Sequence, residues 1–183
     1  MRLKALSLAA AIAITAAPAD AQSIGEQAKT LGEKTGVNAA VGIAPTTMDF
    51  VNQAAISDMF QIQAGSLALQ RGDPATKALA EQMITDHKKT SEELQGLITG
   101  GKVKETLPTT LDSSHQTMLD DLKALQGAEF VKKYRSDMVE EHEAAVSLFQ
   151  RYAAGGDNPA LKDWAGKTLP TLQQHLATAR KLD

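Results

Sequence analysis

The chain has 183 residues, 19 Lys and Arg against 22 Asp and Glu, a formal net charge of −3 and no cysteine. Without cysteine there are no disulfides, thiolate nucleophiles, zinc ribbons or iron–sulfur clusters, and the charge balance argues against a nucleic-acid binder. Apolar residues make up 43% and aromatics 4%, enough for a real core but a composition that argues against a β-sandwich.

Met1-Arg2-Leu3-Lys4 is a positive start, and Ala5 to Ala17 is an apolar run of signal-peptide length, too short to span a bilayer comfortably. Ala19-Asp20-Ala21 offers the small residues a signal peptidase reads. We read residues 1–21 as a leader cleaved before Gln22, the alternative being an uncleaved anchor. Cleavage removes Arg2, Lys4 and Asp20 and leaves a net charge of −4. No later segment approaches transmembrane length, so the expectation is an exported, periplasmic protein, with a place peripheral to the outer membrane left open. Residues 22–46 carry no sustained apolar stripe and read as a flexible linker, with Ile24, Ala28, Leu31 and Val37 enough for a short frayed helix.

From Thr46 onward the pattern is helical, and residues 47–183 read as one domain. Thr46 with Asp49 is a capping-box-like start, and Val51, Ala55, Asp58, Ile62, Gly65 and Leu69 follow on one face. Gly72 stops this helix and Asp73-Pro74 opens the next, which carries Leu79, Met83, His87, Leu94 and Leu97. Gly100-Gly101 ends it. Residues 99–127 form a long crossover with Pro108 and a short helix capped at Asp112 or Ser113. A third long helix carries Val131, Tyr134, Met138, His142, Ala145, Phe149 and Tyr152, and ends at Gly155-Gly156. Asn158-Pro159 opens the fourth, with Leu161, Ala165, Leu172, His175 and Ala179; Pro170 inside it predicts a kink or local break. Two tightly turned hairpins joined by one long crossover predict an all-α, ferritin-like antiparallel four-helix bundle.

Chemistry, if present, lies with the histidines. His87, His142 and His175 each fall on an apolar stripe at a similar distance from a hairpin turn. They are therefore placed near one height in the bundle, where metal sites of such bundles are built. His115 starts the short crossover helix and reads as an exposed or capping residue. Met83 precedes His87 by four residues and Met138 precedes His142 by four, so each pair shares a face, and thioether with imidazole suits copper. Asp58 is a candidate buried carboxylate. No Glu-x-x-His pair of the di-iron type is present, because Ile84, Val139 and Leu172 hold the positions three before each histidine. The candidate metal set is thus His87, His142, His175, Asp58, Met83 and Met138, with copper or iron as the ion. A structural role for buried neutral histidines remains the alternative.

Phe50-Val51, Gly65-Ser66-Leu67-Ala68-Leu69, Met83-Ile84-Thr85-Asp86-His87, Leu107-Pro108, Leu111-Asp112 with His115, Met138-Val139-Glu140-Glu141-His142 and Leu169-Pro170-Thr171-Leu172 with His175 resemble the bacterial domain-of-unknown-function family 4142. Its members are exported proteins classed with ferritin-like folds and often labelled membrane or outer-membrane proteins. The resemblance spans about residues 48–182. It implies an exported helical bundle and no established activity, and His87, His142 and His175 match the family's histidine positions. Gln61 and Gln63 depart from it where members often carry glutamate, which weakens a di-iron reading. The sequence thus supports an exported binding or stress-protection module, with no catalytic residue assigned and an envelope partner or homo-oligomer left open. The alternatives are a metal-dependent redox enzyme and a structural domain without metal.

Overall fold

The computed structural model describes residues 19–183. The leader expected over residues 1–21 therefore lies, up to residue 18, outside the described residues. Seven helices make up the fold: α1 Ala19–Lys34, α2 Val37–Val41, α3 Thr47–Arg71, α4 Pro74–Thr99, α5 Ser113–Ala124, α6 Gly127–Gly155 and α7 Pro159–Leu182. The described residues are all-helical, and none of their helices is long and apolar enough to cross a membrane.

The helix starts follow local chemistry. The Thr46 hydroxyl accepts from the Asp49 N–H at 3.1 Å, and the Asp73 carboxylate accepts from the Thr76 N–H at 2.8 Å with Pro74 at the first helical position. Asp112 caps α5 by accepting from the His115 N–H, and Asn158 caps α7 by accepting from Ala160 and Leu161. These side chains satisfy N–H groups that have no partner inside the helix. At the other end of α4 the chain escapes through Gly101, whose φ of 72° suits glycine above other residues. α7 runs through Pro170 as a single element, so no break forms where the proline predicts one.

The four long helices pack as two pairs, α3 along α4 and α6 along α7, with α3 also on α6 and α4 on α7. Their apolar residues form two separate clusters. One holds Phe50, Val51, Leu94, Phe149, Tyr152, Leu161 and Trp164; the other holds Phe60, Leu79, Met83, Phe130, Tyr134, Met138 and Ala179. Each fully buried large side chain of this kind contributes about 1.5–3 kcal/mol. The clusters reveal the chain path. α3 and α7 run from the first cluster to the second, whereas α4 and α6 run the other way. Residues 100–126 carry the chain back along the full length, with Val103 in the first cluster and Leu119 and Leu122 of α5 in the second.

The stretch read as a linker is helical, as α1 and α2, and a buried ion pair ties it to α6. The Arg151 guanidinium makes two 2.8 Å bonds to the Glu33 carboxylate and a third to the Ile43 carbonyl. Burial pushes the Glu33 pKa up, but the hydrogen bonds and charge of Arg151 outweigh it and hold the carboxyl below its ordinary range. The apolar residues of this stretch, Ile24, Leu31, Val37 and Val41, stay exposed. No core-facing stripe marks these helices in the sequence because their docking is polar.

Candidate metal centre

Between the two apolar clusters lies a polar layer to which every long helix contributes. On α3 the apolar core lapses between Ala55 and Phe60, where Asp58 sits. On α4 it lapses between Met83 and Leu94, at His87 and Thr90. The gap on α6 holds His142 and the gap on α7 holds His175. The three histidines are 2%, 0% and 1% exposed, and their ring centroids lie 5.3 to 5.6 Å apart. One ring nitrogen from each falls within 4.8 Å of the others.

Each ring is held from behind. The Asp58 carboxylate accepts from His87 Nδ1 at 2.8 Å, and also from the Thr90 and Ser91 hydroxyls. The Met138 carbonyl accepts from His142 Nδ1 at 2.8 Å, and Asp86 accepts from His175 Nε2 at 2.8 Å. These partners set the tautomers. An N–H spent on a carboxylate or carbonyl leaves a lone pair on the opposite nitrogen. His87 Nε2 and His142 Nε2, both such nitrogens, face each other at 3.4 Å. His175 Nδ1 is buried with no partner at all, a condition that costs about 1–3 kcal/mol.

Burial favours the neutral form of two of these rings. Burial, reinforced by the neighbouring His87, drives the His142 pKa down to about 3. Burial also lowers that of His175, and Asp86 offsets only part of the effect. Neutral imidazole is the form that binds a metal.

The sequence candidates fall into three positions. His87, His142 and His175 converge. Asp58 stands behind His87 rather than among the inward nitrogens. Met83 and Met138 are fully buried in the second apolar cluster, one turn before their histidines. Gln61 is buried one turn beyond Asp58, and Gln63 is exposed. His115 differs from its sequence reading. It is half-buried, with Nδ1 donating to Asp112 at 2.7 Å, Nε2 donating to Glu141 at 3.2 Å, and its ring against Phe60. Burial pushes its pKa down, but Glu141 and Asp112 prevail and raise it to about 9. It is an imidazolium tie between the crossover and α6, outside the triad.

Asp86, Thr90 and Ser91 carry the outer layer and stand outside the metal set read from the sequence, which noted Asp86 only as a carboxylate near His87. Thr90 and Ser91 lie three and four residues after His87, on its own stripe, so a signal was present. For Asp86 the signal was only its nearness to His87: it finds its partner, His175, on another helix.

The family model described as "Domain of unknown function (DUF4142)" matches residues 19–182. The chain belongs to the DUF4142 family. No curated protein matches the chain. Among solved structures, "CopM in the Cu(II)-bound form" superposes with a TM-score of 0.63 at 19% sequence identity, covering 76% of this chain and 96% of that one. At that identity the likeness speaks to the fold.

Proposed function

We propose that this DUF4142 domain is an exported binding module that holds one transition-metal ion on His87, His142 and His175, and that copper is the favoured ion. The observation that carries the reading is the convergence of one ring nitrogen from each of three buried histidines, in a layer where His175 Nδ1 is buried without a partner. A cation is the occupant that this arrangement suits. The outer partners support it, since metal-binding imidazoles characteristically donate their second N–H to a carboxylate or carbonyl. Here Asp58, Asp86 and the Met138 carbonyl do so.

The donor set chooses among ions. Three imidazoles without an inward carboxylate are a poor match for iron of the di-iron kind, which wants about four carboxylates. They suit zinc and copper, and copper(II) binds nitrogen sites more tightly than zinc does. Met83 and Met138, in the apolar cluster on one side of the histidine layer, bring soft, polarizable sulfur one turn from their histidines, which suits copper(I). The copper-bound state named for CopM supports the same choice. When bound, such an ion supplies Lewis acidity and, for copper, one-electron chemistry. The chain's own part is to orient three rings and keep them buried. Capture and stress protection fit that part better than turnover. The path of the four long helices supports the ferritin-like connectivity expected from the sequence, and residues 1–21 support export.

Titration of metal-free protein with Cu(I), Cu(II), Zn(II) and Fe(II), repeated on His142→Ala, tests this. The expected result is tightest binding of copper and an affinity loss in the variant of at least about 100-fold, or 2.7 kcal/mol. Equal affinity in the variant would return the histidines to a structural role.

A further inference from the structure

The triad is buried, so an ion must cross the protein to reach it. A groove of about 500 Å³ runs between α4 and α7, and Asp86, Thr90, Trp164, Thr168 and Thr171 are among the residues lining it. Asp86 is 32% exposed there, while the His175 ring bonded to it is 1% exposed. One carboxylate thus separates solvent from a triad ring. Thr90, also in the groove wall, donates to the Asp58 carboxylate that holds His87. Thr171 lies four residues before His175 and so shares its face of α7. Lys89 and Lys167 pair along their own helices with Glu93 and Asp163, which leaves Asp86 partnered by histidine rather than by lysine.

On the other faces the partners of the triad rings are more deeply buried. The crossover helix α5 packs on α3 and α6. The groove between α6 and α7 is lined by Glu143, Val146, Ser147, Leu176 and Arg180, none of which partners a triad ring. A groove of about 330 Å³ between α3 and α4 reaches Ser91 along a largely apolar wall, and the Asp58 side chain beyond it is only 7% exposed.

We propose that the α4–α7 groove is the port by which the metal ion enters and leaves the triad, with Asp86 its inner gate. This rests on the metal-binding reading above. A carboxylate inside the groove would attract a cation, and Asp86 is the more exposed of the two carboxylates bonded to triad rings. A port has a kinetic signature. Narrowing it slows entry and exit by one factor and leaves the equilibrium constant alone.

The test uses the full described domain, Cu(II) delivered from a weak chromogenic chelator, and a strong chelator to drive release. Thr171→Phe narrows the groove from α7, and Lys89→Phe narrows it from α4 at a side chain that is 73% exposed and so tolerates change. In either variant both rate constants should fall at least about tenfold, a barrier change of roughly 1.4 kcal/mol, with Kd unchanged. Gln95→Trp, which fills the α3–α4 groove instead, should leave both rates as in the parent. Asp86→Asn should weaken Kd as well as entry, by about 10–100-fold, as loss of an outer partner does. Parent-like rates in both groove-filling variants, or slowing only in Gln95→Trp, would overturn the port while metal binding stands. A change in Kd without a matched fall in both rates would make these residues part of the site's support and also overturn it. A parent protein that takes up no metal would remove both readings.

Discussion

Asp58 collects three donors, from His87, Thr90 and Ser91. Truncating it leaves the buried His87 Nδ1–H without its acceptor, whereas Thr90 keeps the His87 carbonyl at 3.1 Å and Ser91 lines a groove. Asp58→Ala is therefore expected to cost about 1–3 kcal/mol, the penalty of one orphaned buried donor. Chemical denaturation of the metal-free protein measures this, and a loss under about 1 kcal/mol would mean that the layer is wetter than the structure draws it. The histidines themselves separate by titration. Proton NMR should give His115 a midpoint near 9. The His142 ring should not titrate between pH 8 and 5, because its midpoint is pushed to about 3.

At the scale of elements, α5 depends on one side chain from outside it. Arg71, in the last turn of α3, donates through Nη1 to the carbonyls of Leu122, Lys123 and Leu125 at 3.2, 2.9 and 2.9 Å. These groups close the C-terminus of α5, where only the Leu122 carbonyl also accepts a backbone N–H, that of Leu125 at 3.3 Å, and a cation there opposes the helix dipole favourably. Arg71→Ala should raise amide exchange across α5 while α3 and α4 keep their protection. Lysine should restore only part of it, since an ammonium lacks the planar fork. Where α3 and α4 press together, Gly65 has no room for a side chain: a Cβ there would lie 2.8 Å from Ile84 Cγ1. Overpacking costs about 1–3 kcal/mol against about 1 kcal/mol of helix propensity gained, so Gly65→Ala should destabilise, as thermal melting would show.

For the whole molecule, stability should follow pH with two opposing limbs. The unfolded chain takes up a proton at His142 below its ordinary 6.5, whereas the folded chain refuses it until about 3. Folding therefore loses stability as pH falls through that window, on the order of a few kcal/mol. His115 acts in reverse. Its folded pKa of about 9 lends stability that is complete below 6.5 and is lost as pH rises through 9. Metal-free protein should be most stable near neutrality, and His115→Gln should flatten the alkaline limb alone. Copper at 100 times its Kd should add about 2.7 kcal/mol. For a domain of this size that is roughly 5–10 °C in Tm, absent in His142→Ala.

Much of this was legible before any coordinates. Glycine stops, Asp and Asn caps and three- and four-residue apolar steps mark the long helices, because capping and amphipathicity are local. Equal distances from the hairpin turns place His87, His142 and His175 at one height, because rise per residue is constant along a helix. What lay beyond the sequence were relations between helices. That Asp86 turns to α7, that Asp58 stands behind a ring instead of facing inward, and that His115 is clamped by Glu141 depend on rotation about helix axes, which packing sets. The docking of α1 through Glu33 and Arg151 escaped for the same reason: an ion pair between residues 118 apart leaves no periodic trace. Periodicity reports where a side chain lies on its own helix; only the tertiary structure decides which nitrogen it offers to the space between.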